Sequence, residues 1–132
     1  MVEVVVGALV RNGRVLLGHR SPDKLAYPDV WDLPGGVIEA GESELSALAR
    51  ELQEELGIEI TPAATRHLCR VTAHPSTGPV LLSAWLVDDW QGTPTNLAPD
   101  EHVAVGWFGI DELPQLAHAQ VRTALLNAVE RR

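Results

Sequence analysis

Residues 35–58 read GGVIEAGESELSALARELQEELGI, and the reading of the second half of this stretch decides the fold. Leu45, Leu48, Leu52 and Leu56 recur at three- and four-residue steps, the period of an amphipathic helix. Ser43 stands where an N-cap is wanted, and Gly57 where a left-handed residue would end the helix. With Glu51 set at zero and 100° per residue, Glu54 falls at about −60°, Glu55 at about +40° and Glu44 near about +20°. Leu45, Leu52 and Leu56 lie at about +100 to +140°, so an apolar stripe and an acidic face share one helix side by side. Surface helices usually interleave acids with lysines, yet this stretch has no lysine and only Arg50 as a cation. Carboxylates within about 4–6 Å raise one another's pKa unless a cation accepts their oxygens. A solvated face is the usual fate of such glutamates. The alternative is a hard divalent cation such as magnesium, which prefers oxygen ligands and shares phosphate oxygens with a substrate.

Outward from this helix the chain reads as strands. Residues 2–10 (VEVVVGALV) are rich in β-branched side chains, Asn12-Gly13 suits a tight hairpin turn, and Arg14–His19 forms the returning strand. The stretch RSPDKLAYPDVWD has no period and reads as a loop ending at Trp31–Leu33, with Pro34-Gly35-Gly36 as a sharp break after it. Beyond the helix, Ala64–Ala73 and Val80–Asp88 are expected strands joined by HPSTGP, and DDWQGTPTNLAPD is expected to be a loop. Residues 101–108 read as a last strand. Val121, Ala124, Leu125, Ala128 and Val129 give the final segment one apolar helical face. Each amphipathic helix must bury its stripe, so an α/β fold with helices covering a mixed sheet is the economical arrangement.

The 132 residues fit one domain spanning 1–132. A formal charge of −8 with ten Lys plus Arg opposes nucleic-acid binding, which needs a basic stripe. Any phosphate-bearing ligand therefore needs local compensation. The apolar runs fall short of the roughly 18–20 residues that span a bilayer, and no leader pattern opens the chain, so no membrane partner is expected. Cys69 is the only cysteine; a reducing, cytoplasmic setting is expected. Monomer and homodimer both stay open.

From Gly36 the residues run G, five others, Glu42, seven others, then REL-Q-EEL-G-I. This matches GX5EX7REUXEEXGU, with U aliphatic, at every specified position, and the chain resembles the Nudix hydrolases, most closely the MutT-like members. The resemblance implies a Nudix-type α/β/α sandwich, and hydrolysis of a nucleoside diphosphate linked to another moiety with Mg2+ or Mn2+. Carried over, Glu54 and Glu55 would be metal ligands. Glu51 would be a ligand or the residue that orients or deprotonates water, and Gly35 would lend its backbone carbonyl. Arg50 would pair with box carboxylates such as Glu42. MutT-like proteins complete the site with a glutamate six residues before a tryptophan; Glu101 precedes Trp107 by six, with Asp100 as its rival. Arg20 matches a basic position near the nucleotide, and His118 lies about where a base-reading side chain stands. Trp85 is expected in the core, Trp31 in the core or a pocket wall, and His67 and His74 lack partners at metal spacing.

The resemblance leaves three functions. One is conversion of a nucleoside triphosphate, including oxidised purines, to monophosphate and pyrophosphate. The second is hydrolysis of ADP-ribose or another nucleotide sugar; a proline expected fifteen or sixteen residues after the box comes instead at seventeen, as Pro75. Tyr27 is the only tyrosine, so the tyrosine typical of dinucleoside polyphosphate hydrolases is missing too. The third is a non-catalytic nucleotide sensor, which the intact box disfavours.

Overall fold

A computed structural model describes residues 1–130. In chain order it contains β1 (Val2–Arg11), β2 (Arg14–Arg20), β3 (Trp31–Asp32), β4 (Gly35–Val37), α1 (Glu44–Leu56), β5 (Glu59–Ile60), β6 (Thr65–Ala73), β7 (Val80–Val87), β8 (Trp90–Gln91), β9 (His102–Gly109) and α2 (Ala119–Glu130). The turn between β1 and β2 uses Asn12 and Gly13 at positive φ, as a two-residue hairpin requires. The main sheet runs β3-β2-β1-β7-β6, with β9 antiparallel on β2 and β4 antiparallel on β1. It is mixed because β1 and β7 run parallel, from Val2 beside Val80 to Leu9 beside Val87.

On its other edge β1 serves two partners. Val4–Val6 pair with β4, and Val10–Arg11 pair with β2. The sheet therefore splays midway along β1, and the Pro34-Gly35-Gly36 segment fills the opening, its Pro34 carbonyl accepting from the Gly7 amide at 2.9 Å.

The two-residue alternation of β1 divides the core. Val5 and Leu9 face α1, packing with Ala47, Leu48, Leu52 and Leu56. Val6, Ala8 and Val10 face the opposite layer, where α2 contributes Val121 and Leu125. The result is an α/β/α sandwich. Ser43 caps α1 by accepting from the Ser46 amide at 3.1 Å, and Gly57 closes it at φ 71°.

Several expectations change. Gly35–Val37 is a strand rather than only a break, and Trp90–Gln91 pairs with Glu59–Ile60 inside the stretch expected to be a loop. Ladders of two or three residues are too short to show a period, so only tertiary pairing makes them. Glu44 leaves the acidic face. Its Oε1 accepts from Ser83 Oγ at 2.5 Å and Trp85 Nε1 at 2.9 Å, and its Oε2 from Arg70 Nη2 at 2.7 Å. Trp85 is accordingly half-buried, with its indole N–H turned to Glu44 and His67 against its ring edge, rather than fully in the core. His67 itself bonds Ser83 Oγ at 2.9 Å.

Leu52 is fully buried at the centre of the α1 layer. Leu52→Ala is expected to lower stability by about 2–5 kcal/mol, read as a drop in the urea midpoint at unchanged slope; a midpoint within error of the parent would contradict this packing.

Candidate active site

The site begins with two glycines. Gly35 sits at φ 153°, and a Cβ there would lie 2.0 Å from the Val5 carbonyl oxygen, so no other residue fits against β1. At Gly36 a Cβ would come within 2.5 Å of Glu51 Cδ. The bare backbone of β4 is thus the floor over which the Glu51 carboxylate lies.

Arg50 ties this floor to the helix. Its Nε and Nη2 each donate to Glu42 at 2.8 Å, Nη2 also reaches the Val37 carbonyl at 3.1 Å, and Nη1 donates to Glu51 at 2.9 Å and Glu54 at 3.4 Å. A planar fork can make all of these contacts at once, which an ammonium could not. The Arg50 hydrogen bond holds Glu42 down at about 2, and the same contact raises Arg50.

Glu51 and Glu55 shift the other way. Burial pushes the Glu51 carboxyl up, the Glu55 and Glu54 charges add to it, and Arg50 opposes it. Glu55 is buried and pushed up chiefly by that burial, against a favourable contact with His102. His102 Nε2 lies 3.1 Å from Glu55 Oε1, while Glu55 Oε2 is buried without a hydrogen-bond partner among the described residues. Glu54 stays more exposed, at the end of the Arg50 fork.

One cleft of about 670 Å³ is lined by Arg20, Gly35, Arg50, Glu51, Glu54, Glu55, Glu101 and His118, which brings the expected metal, catalytic and nucleotide-binding residues to one place, while the box residue Glu42 lies outside its lining. Glu101 comes from the segment just before β9 and is ion-paired to Lys24, whose hydrogen bond lowers its pKa. Its rival Asp100 is exposed and does not line the cleft. Arg20 spends its guanidinium on the backbone, donating to the Tyr27 carbonyl at 2.9 Å and that of Ala26 at 2.7 Å, and so shapes the loop at the cleft mouth. His118 is nearly buried with its ring 4.7 Å from Tyr27, and burial lowers its pKa. Trp31 does not line the cleft; it stacks on His19 and meets Phe108 edge-on.

Two cleft residues carried no sequence signal. Asp32 is 8% exposed, accepts one hydrogen bond from the Leu33 amide at 2.9 Å, and is pushed up to about 6 by burial, which the Leu33 amide, Arg20 and His102 only partly offset. In the sequence it was one aspartate in a turn-prone stretch. His102 followed Glu101 in an expected strand, and a lone histidine there reads as packing.

The donor chemistry suits a hard cation. Among the described residues no three acids, histidines or cysteines close into a ready cage, and Arg50 already donates to Glu51 and Glu54. Magnesium, however, keeps waters and takes one or two carboxylates plus substrate oxygens, so an open set is what it uses. The partnerless Glu55 Oε2 beside a glycine-only backbone is an oxygen such a cation would satisfy.

Comparison with known proteins agrees with this architecture. The family model described as NUDIX domain matches residues 1–128. The CTP pyrophosphohydrolase of Escherichia coli (strain K12) is 37% identical over 128 residues, covering 97% of this chain and 90% of that protein. The 8-oxo-dGTP diphosphatase of the same strain is 29% identical over 116 residues, covering 86% and 88%. The crystal structure of a MutT NUDIX hydrolase from Burkholderia pseudomallei superposes at a TM-score of 0.82 with 33% identity, over 94% of this chain and 95% of that one. A match that runs from the first strand into the last helix, on the same sandwich, places this chain in the Nudix hydrolase family, among its MutT-like members.

Proposed function

We propose that this Nudix hydrolase converts a nucleoside triphosphate to its monophosphate and pyrophosphate with Mg2+ or Mn2+. The observation that carries the reading is the convergence in one cleft of the buried Glu55, the Glu51 carboxylate over Gly36, and the cations Lys24 and Arg20. Gly35 through its carbonyl, with Glu51, Glu54, Glu55 and Glu101, would hold the cation. Bound there, the cation would lower the pKa of a water, clamp phosphate oxygens and stabilise the leaving oxygen. The remaining work falls to the chain itself. Glu51, lying over the Gly36 backbone, is either a ligand of that cation or the group that orients and deprotonates the attacking water, with Glu101 as the second candidate for the base. Arg50 sets the angle of Glu51 and Glu54 through its fork. Lys24 and Arg20 supply the local positive charge that a protein of net charge −8 needs around a polyphosphate.

The cleft lining also includes the apolar Val4, Val6 and Leu82, with Asp32 and His118 among its further polar groups. A flat heterocycle with hydrogen-bonding edges suits such a wall, and two relatives are named for the nucleoside triphosphates CTP and 8-oxo-dGTP. We read the substrate as a free nucleotide rather than a nucleic acid, and the protein as a single cytoplasmic domain, monomer or homodimer. Among the described residues no helix is long and apolar enough to cross a membrane. ADP-ribose or a nucleotide sugar is the second reading, favoured by one observation: Pro75 lines the cleft. A nucleotide sensor without turnover is opposed by the intact set of box glutamates.

A panel of nucleoside triphosphates, oxidised forms, ADP-ribose and dinucleoside polyphosphates, assayed for the phosphate species released, separates these readings. Triphosphate turnover yielding pyrophosphate supports ours, preferential cleavage of ADP-ribose overturns it, and no turnover on any member favours the sensor. Glu54→Gln and Glu55→Gln are each expected to abolish magnesium-dependent hydrolysis while circular dichroism stays that of the parent; full activity in either would refute the metal assignment. Asp32 gives a pH test of the cleft's electrostatics. Its folded pKa of about 6 lies above the ordinary 3.8, so its burial cost is absent below about pH 4 and complete above about pH 6. Stability from this residue therefore falls as pH rises through that window. Asp32→Asn is expected to remove up to about 3 kcal/mol of the fall, measured as urea midpoints at acid and neutral pH; identical pH profiles for both proteins would contradict it.

A further inference from the structure

Glu55 on α1 and His102 at the start of β9 are both almost wholly inside the protein, at 4% and 5% exposure. His102 Nε2 meets Glu55 Oε1 at 3.1 Å, and no metal motif or family pattern quoted above includes this histidine. Its other ring nitrogen, Nδ1, faces Gly18 and has no partner among the described residues; a Cβ at Gly18 would sit 2.6 Å from it. A bare ring lone pair is cheaper to bury than an unpaired N–H, so the proton sits on Nε2 and is donated to Glu55. That donation occupies one Glu55 oxygen. The second, Oε2, is buried and has no hydrogen-bond partner among the described residues, while the Gly35 amide acts on the carboxylate to favour its charged form. A purely structural buried glutamate would satisfy both oxygens, because an orphaned acceptor costs about 1–3 kcal/mol.

The ring is held from behind as well. The His102 amide donates to the Ala98 carbonyl at 3.0 Å, and its carbonyl accepts from Asn96 Nδ2 at 2.8 Å. The same segment is fastened to the end of α1, where the Leu97 amide donates to the Glu55 carbonyl at 2.8 Å and the Thr95 amide to that of Leu56 at 3.0 Å. Glu55 and the imidazole that grips it therefore belong to one closed circuit of backbone and side-chain bonds.

We propose that His102 is a positioning residue: it fixes Glu55 so that Oε2 is the oxygen offered to the divalent cation, and Gly18 is required because the imidazole occupies the space of its missing side chain. The proposal rests on the metal-dependent reading above and deepens it. Carboxylate ligands of metals are commonly oriented by such outer partners, whose loss lowers metal affinity about 10- to 100-fold.

The test is Mn2+ titration of the metal-free full chain, with free ion followed by electron paramagnetic resonance, for the parent, His102→Leu, His102→Gln and Gly18→Ala. His102→Leu, which fills volume without a donor, is expected to weaken Mn2+ binding about 10- to 100-fold, and to raise the Mg2+ needed for half-maximal turnover by the same factor while kcat at saturating Mg2+ is largely kept. Gly18→Ala, which pushes the ring away, should weaken binding in the same direction. His102→Gln, which can still present an N–H, should lose less than about tenfold. Parent-like Mn2+ affinity in His102→Leu overturns the proposal, as does a glutamine variant as impaired as the leucine one. Should His102→Leu fail to fold, Gly18→Ala decides, and unchanged affinity there overturns it equally. A parent protein that binds no divalent cation would instead sink the metal-dependent reading, and this proposal with it.

Discussion

The structure depends on α1 burying its leucines against β1 while holding its glutamates at the flank of the same contact. Leu48, Leu52 and Leu56 are fully buried against Val5 and Leu9, and burial of that kind contributes about 1.5–3 kcal/mol per side chain. The acids are offset by less than a third of a turn from this stripe, so docking the helix carries Glu51 and Glu55 to the splay of the sheet. Placing them there costs desolvation, visible in their raised pKa values. Core packing thus holds in place the charged groups that the chemistry needs.

The splay in turn requires the glycine backbone of β4. With side chains at Gly35 or Gly36, β4 would collide with the Val5 carbonyl or with the Glu51 carboxylate. One interaction then spans the parts: the Arg50 guanidinium joins the end of β4, through the Val37 carbonyl, and the loop after it, through Glu42, to Glu51 and Glu54 on the helix. It also offsets the mutual repulsion of those acids. An acidic protein can in this way keep a cluster of carboxylates close together before any cation arrives. Glu44, although on the same face by angle, is diverted to Ser83, Trp85 and Arg70, and so fastens the start of the helix to β6 and β7 instead.

Much of this was legible in the sequence. The period of the leucines, Ser43 and Gly57 defined α1 almost to the residue, since caps and periodicity are local properties. The long strands and the hairpin at Asn12-Gly13 followed for the same reason, and the spacing from Gly36 to Ile58 carried the family. The short strands β4 and β8 were not legible, because two or three residues show no alternation and exist only by pairing with distant partners. Trp85 does pack against the α1-side core, as expected, but only partly buried, because strand alternation does not reveal the polar partner 41 residues away that its indole N–H meets.

By itself, the sequence determined the helix that bears the acids, the order of strands and helices, and membership of the Nudix family. These rest on local periodicity and on residue spacing along one helix. Only the tertiary structure decided which neighbours those acids meet: Lys24 on Glu101, Asp32 in the cleft wall, and His102 with Gly18 behind Glu55. The physical reason is that these contacts join residues far apart in the chain, and burial, which sets both their energies and their protonation, does not exist until the layers have packed.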